Sequence, residues 1–347
     1  MRNPLLHVTL MAVAAVAMST ASGQNTSATT GTVATVKLRV ADSFPSGHYV
    51  PNYLIKPMMD RIKADKSLGV EFEYYPAEQL GKSRDMLSLT QAGLVDIAYV
   101  APAFASDKMP LSVVGELPLP FTGSCQGTMA YWNLAKPGGL IDREEFAPNG
   151  VRLLFTLVLP PYQLFTRTPF TTMQDIAGRK IRTTGAAKEL TLKRLNTVPI
   201  QIPTPDVYEA LSRGTIDGML FPFNSLRPYD LDKIKQYSTV GENFGSFVIS
   251  YVISIKKWQT LTPALQATLT GMGEELSRSA CSKTESDEAR DIVEAQKSGL
   301  ELVTLKPADS RALRAVLSGV SDDWARNLDR QRRSGTEVLK AFSAGLK

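Results

Sequence analysis

Two histidines and two cysteines are all that the chain brings to soft-metal and nucleophilic chemistry. Cys₄ and His₃ sites, and Cys₂His₂ sites with C-x-x-C spacing, cannot be built from them. Asp42, Ser43, Ser46 and His48 crowd a carboxylate, two hydroxyls and an imidazole into one stretch. A hydrolytic triad needs such groups to meet in space. No G-x-S-x-G, H-E-x-x-H, C-x-x-C, Walker A or G-x-G-x-x-G pattern fixes them in that role. Arg182 offers a different chemistry. It ends the run Gly178-Arg179-Lys180-Ile181-Arg182, ahead of Thr183-Thr184-Gly185. A guanidinium at a strand end can fork two parallel donors onto a carboxylate, which lysine cannot do. Taken alone, it reads equally as a surface arginine or one between domains.

The elements that would position these groups follow from the hydrophobic pattern. Residues 37–41 read as a strand, and 49–64 as a helix with apolar Leu54, Ile55, Met58, Met59 and Ile62 at 3–4 spacing. Residues 70–75 alternate as a strand, 86–92 form a helix that Gly93 can stop, and 94–100 form a buried strand. Strand–helix–strand–helix–strand with short connections implies parallel pairing, an α/β lobe. The pattern recurs with strands at 151–159, 181–183 and 215–221 and helices at 188–195 and 208–212. Gly93 with Asp96 and Gly214 with Asp217 mark matching helix-to-strand turns in the two halves. A strand over 247–255 returns across the middle. Residues 263–299 form one long helix or two abutting ones, and further helices cover 309–328 and 336–342. Two lobes of this build share a crevice at the carboxyl ends of their strands, where such sheets bind ligands.

Composition agrees. The 347 residues, 43% of them apolar, suffice for about two domains with real cores. The 39 basic and 34 acidic residues are spread along the chain, and the run 326–333 reads as a solvated helix face rather than a nucleic-acid stripe. Residues 1–23 have Arg2, an apolar stretch from Val8 to Met18 and a small-residue exit, the parts of a secretory signal peptide too short to span a membrane. A flexible leader follows over 24–35. Cleavage would remove His7 and leave His48 as the single histidine of an exported, periplasmic chain. Export also allows Cys125 and Cys281 to pair; two separate buried thiols are the alternative.

Five motifs in series resemble the DctP-type receptors of TRAP (tripartite ATP-independent periplasmic) transporters. They are Tyr75-Pro76 through Gln79-Leu80-Gly81, Ala92-Gly93-Leu94-Val95-Asp96-Ile97, the Pro110–Phe121 stretch, Gly178-Arg179-Lys180-Ile181-Arg182, and Tyr208-Glu209-Ala210-Leu211 with Gly214 and Asp217-Gly218. The resemblance implies a two-lobed periplasmic binding protein fold, with an interlobe cleft and a long helix crossing both lobes. Lobe I would comprise 36–159 plus 247–286, and lobe II 160–246 plus 287–347. It implies a receptor, not an enzyme, with no cofactor, that hands a small carboxylate ligand to TRAP membrane permease subunits. It assigns Arg182 to the ligand carboxylate.

Where sialic-acid-type members carry polar contacts, this chain has Ala101-Pro102-Ala103-Phe104, Phe221 and, approximately, Tyr162. Sugar hydroxyls in such a pocket would go unpaired at about 1–3 kcal/mol each. The expected ligand is therefore a small monocarboxylate with an apolar or aromatic body. Candidate contacts are Arg182, Phe221, Tyr99, His48, Phe44, Tyr162, Phe104 and Phe244. Arg167 reads as a surface residue, and Asp96 and Asp217 as turn residues, because a second negative charge would repel the acid. A receptor feeding a sensor kinase and a secreted enzyme on a two-lobed fold are the rival readings.

Overall fold

A computed structural model of the protein describes residues 35–347; the expected signal peptide and nearly all of the leader lie outside the described residues. Among the described residues eleven strands form two sheets. The first holds β1 (Val36–Ala41), β2 (Val70–Tyr75), β3 (Ile97–Val100), β4 (Val151–Val158) and β10 (Val248–Ser254), in the order β2-β1-β3-β10-β4. The second holds β5 (Gln163–Thr166), β6 (Lys180–Thr183), β7 (Val198–Gln201), β8 (Gly218–Phe221), β9 (Tyr237–Thr239) and β11 (Glu301–Val303), in the order β11-β9-β5-β8-β6-β7. β1 pairs in parallel with β2 and β3, and β6 with β7 and β8. The returning strand β10 runs antiparallel between β3 and β4.

The two halves repeat one local device. Helix α3 (Met86–Gln91) ends on Gly93 at φ 73°, and α6 (Val207–Ser212) ends on Gly214 at φ 71°, a left-handed conformation that glycine adopts without a Cβ clash. The Asp96 N–H then donates to the Arg39 carbonyl at 3.0 Å, while the Asp96 carboxylate accepts from the Arg39 N–H at 2.8 Å. Asp217 does the same to Lys180, at 2.8 and 2.7 Å. Each aspartate thus clamps the turn onto the neighbouring parallel strand, and neither reaches the cleft.

The expected helix over 49–64 is two helices, α1 (Tyr49–Tyr53) and α2 (Ile55–Ala64), broken at Leu54. Pro57 has no N–H to return to the Tyr53 carbonyl, so the ladder restarts there. Helix α4 (Ser124–Ala135) was not legible as a helix. It buries residues on almost every side and shows no amphipathic stripe. Helix α5 (Gly185–Arg194) leaves the end of β6, and α7 (Ile255–Trp258) is a single turn after β10. Residues 263–297 are one unbroken helix, α8 (Pro263–Lys297), capped by the Thr262 hydroxyl. It packs on α4 and β4 beside the first sheet and reaches the 223–225 turn of the second. A disulfide joins Cys125 of α4 to Cys281 of α8, with Cα atoms 4.9 Å apart.

Helix α9 (Pro307–Arg330) packs on α5 beside the second sheet, whereas α10 (Gly335–Gly345) packs on α4 beside the first. The end of the chain therefore departs from the expected assignment of 287–347 to lobe II alone. The apolar face of α10, with Val338 and Phe342 buried, packs between α9 and α4.

Candidate ligand-binding site

Arg182 lies in β6 between Ile200 of β7 and Met219 of β8, and its side chain is buried at 1% exposure. Its Nε donates to the Ile202 carbonyl at 2.9 Å, its Nη2 to Thr204 Oγ1 at 2.9 Å and its Nη1 to the Leu220 carbonyl at 3.5 Å. All three acceptors are neutral, and no carboxylate pairs with Arg182 among the described residues. A buried cation is costly unless an anion meets it. Burial pushes its pKa down to about 10, so it keeps its charge at neutral pH; the tyrosines Tyr162, Tyr229 and Tyr99 lie near enough to act on it.

A run of rings leads away from this charge. The Arg182 Cζ lies 5.4 Å from the Phe221 ring centre. Phe221 is followed by Tyr162 at 6.2 Å and Tyr229 at 6.3 Å, and Tyr229 by His48 at 5.4 Å. His48 contacts Phe44 at 4.5 Å, and Phe44 contacts Tyr99 at 4.7 Å. The run crosses from the second lobe to the first where Tyr229 meets His48. Arg182, Phe221, Tyr162, His48, Phe44 and Tyr99 are thus brought together. Phe104 sits apart, edge-on to Phe247 at 5.9 Å. It lines an opening of about 350 Å³ between Ala103 on one lobe and Thr183, Thr184 and Ile202 on the other. Phe244 is fully buried in the main core and makes no ring contact with the run. Arg167 is exposed at the end of β5.

Tyr229 was not singled out from the sequence. It lies on a single helical turn, Arg227–Tyr229, with no strand or periodic pattern to point at it. Only the meeting of the two lobes brings it to His48.

The hydrolase grouping does not assemble. The His48 Nδ1 accepts from the Val50 N–H at 3.1 Å, capping α1, and is unavailable to a serine. Asp42 instead accepts from Tyr251 Oη at 2.6 Å, Tyr74 Oη at 3.2 Å and the Phe44 N–H at 3.0 Å. Burial pushes its pKa up to about 6, against the pull of these hydrogen bonds. Among the described residues no cluster of ligating side chains could hold a metal ion, and no helix is long and apolar enough to cross a membrane.

A second buried cation, Lys188, is neutralised. Its Nζ lies 2.5 Å from Glu116 Oε2 and donates to the Ser246 carbonyl at 2.7 Å, with both charged side chains fully buried. Lys188 belongs to α5 and Glu116 to a turn between β3 and β4, so the pair bridges the lobes. Nearby, Gly185 at φ 68° lets α5 approach Ala103 so closely that an added Cβ would lie 2.9 Å from the Ala103 Cβ.

Two α/β lobes meeting over a buried, unpaired cation define a solute-binding receptor. The chain belongs to the bacterial extracellular solute-binding protein family 7 (DctP), whose profile matches residues 41–327. It is a periplasmic receptor of the TRAP type, a class that binds small organic acids and works with a TRAP permease. Among relatives, the C4-dicarboxylate-binding periplasmic protein DctP of Rhodobacter capsulatus is 26% identical over 296 residues, covering 79% of this chain and 80% of that one. A TRAP solute-binding protein from Rhodoferax ferrireducens, solved with copurified benzoate, superposes with a TM-score of 0.82 at 21% identity, covering 90% of this chain and 98% of that one. One from Bordetella bronchiseptica, solved with (R)- and (S)-mandelate, gives 0.79 at 25% identity with the same coverage.

Proposed function

We propose that the protein captures a small monocarboxylate with an aromatic or apolar body and has no catalytic activity of its own. The observation that carries this reading is the buried Arg182 guanidinium, unpaired by any carboxylate and faced by rings. A ligand carboxylate would supply the missing anion and take the donors that Ile202, Thr204 and Leu220 leave free. Phe221, Tyr162, Tyr229, Phe44 and Tyr99 would cover the remainder. A dicarboxylate would ask for a second free cation, and Lys188 is already held by Glu116. The benzoate and mandelate of the two solved relatives are of the proposed chemistry, whereas the C4-dicarboxylate relative represents the competing class.

Binding closes the lobes, because Tyr99, Phe44 and His48 on one and Arg182, Phe221 and Tyr229 on the other enclose the acid together only when the cleft is shut. The test is mass spectrometry of ligand retained by the natively purified protein, then calorimetry with wild type and Arg182→Ala. Affinity should fall at least about 100-fold, since a buried charged hydrogen-bonded pair is lost. Unchanged affinity would overturn the anchoring role. Tight binding of a C4-dicarboxylate in preference to benzoate or mandelate would overturn the ligand class.

A further inference from the structure

The imidazole of His48 carries a group that neither the fold nor the carboxylate anchor uses. Its Nδ1 accepts the Val50 N–H, so in the neutral ring the proton sits on Nε2. That Nε2–H has no hydrogen-bond partner among the described residues, although His48 is 1% exposed. Burial holds the pKa down to about 3, so the ring stays a neutral donor across the physiological range. An orphaned buried donor costs about 1–3 kcal/mol. Nothing in the local structure requires it, because the helix cap uses only Nδ1. The walls around it are rings: Phe44 at 4.5 Å and Tyr49 at 4.6 Å from its own lobe, and Tyr229 at 5.4 Å from the other. The donor therefore sits where the lobes meet, separated along the ring run from Arg182 by Phe221 and Tyr229.

The geometry points to His48 as a specificity-determining residue, whose Nε2–H donates to an oxygen on the ligand's body remote from its carboxylate. The ligand class is then an arene carboxylate bearing an oxygen substituent, such as a hydroxyl, rather than an unsubstituted one. This rests on Arg182 holding the carboxylate; it adds what the first lobe recognises on the rest of the ligand.

The test is a matrix of calorimetric titrations: benzoate, 3-hydroxybenzoate and 4-hydroxybenzoate against wild type, His48→Phe and His48→Asn. His48→Phe keeps a ring but removes the donor. His48→Asn keeps a cap acceptor for Val50 on a shorter side chain, which withdraws the donor from the rings. Wild type should prefer at least one hydroxybenzoate over benzoate by about 5-fold or more, the worth of one satisfied donor. Both variants should lose that preference, binding the hydroxybenzoates no more tightly than benzoate whatever the change in benzoate affinity itself. Thermal melting of the ligand-free variants checks that they fold, and the two variants agreeing separates the lost donor from a lost cap. Equal binding of all three acids by wild type overturns the role of His48 and leaves the anchor standing. Equal weakening of all three in the variants also overturns it, because the histidine then serves the carboxylate or the packing. If no arene carboxylate binds wild type while another acid binds through Arg182, the aromatic class fails, and this role with it.

Discussion

At the scale of residues, the site is defined by what its charges lack. Arg182 is surrounded by neutral acceptors and aromatic rings, so the ligand-free protein carries a cost that the ligand removes. Arg182→Met should therefore leave the urea midpoint of the free protein unchanged or higher, as replacing a buried charge by an apolar group commonly does. The same variant should bind no carboxylate. An unfolding free energy lowered by several kcal/mol would show that the guanidinium is structural. Asp42 is a second buried charge with a testable sign. Its pKa is raised to about 6 by burial, so the folded state holds the proton more tightly than the unfolded chain. The stability it contributes is full below the unfolded value near 4 and is lost as pH rises through about 6. Melting temperatures of wild type should accordingly drop relative to Asp42→Asn over that window; parallel pH profiles would refute the shift.

At the scale of elements, the paired turns at Gly93–Asp96 and Gly214–Asp217 set β3 and β8 against their neighbours. Gly214 stands at φ 71°, where a side chain is strained. Gly214→Ala should cost about 1 kcal/mol in chemical denaturation with ligand affinity unchanged, since the turn lies away from the cleft. The disulfide between α4 and α8 closes a separation of 156 residues. Replacing both cysteines by serine should cost about 2–4 kcal/mol, by release of the unfolded chain from a long loop. A loss under about 0.5 kcal/mol would mean that the packing of α4, α8 and α10 holds that corner unaided.

At the scale of the whole molecule, the lobes are joined by more than their connecting strands. The Lys188–Glu116 pair sits in the interlobe contact at full burial. Removing one partner leaves the other uncompensated, so Lys188→Met should destabilise by about 3–5 kcal/mol. Lys188→Met combined with Glu116→Leu should recover most of that loss, because both buried charges are then gone. Additive losses in denaturant titrations would instead assign the two side chains independent roles. Helix α10 also ties the lobes, packing on both α4 and α9 while α9 packs on α5.

The sequence by itself determined the local devices: the parallel strands, the two Gly-to-Asp turns, the long C-terminal helices and the strand end that bears Arg182. Each is written in short-range spacing, because helical and strand periods and left-handed glycines act over a few residues. It also named five rings of the run, Phe44 and His48 in the first loop, Tyr99 and Phe221 at strand ends, and Tyr162 through the family resemblance. Tertiary structure decided the rest. Tyr229 joins the site only because a helical turn with no pattern of its own is carried across to His48. Phe244 lies fully buried in the main core, without a ring contact to the run. Helix α4 escaped notice because burial on nearly all sides erases amphipathic periodicity. The pairing of Cys125 with Cys281, and of Lys188 with Glu116, depends on distances between elements far apart in the chain. Composition and spacing place the arginine on a strand, but only the packing of two lobes leaves its charge without a partner.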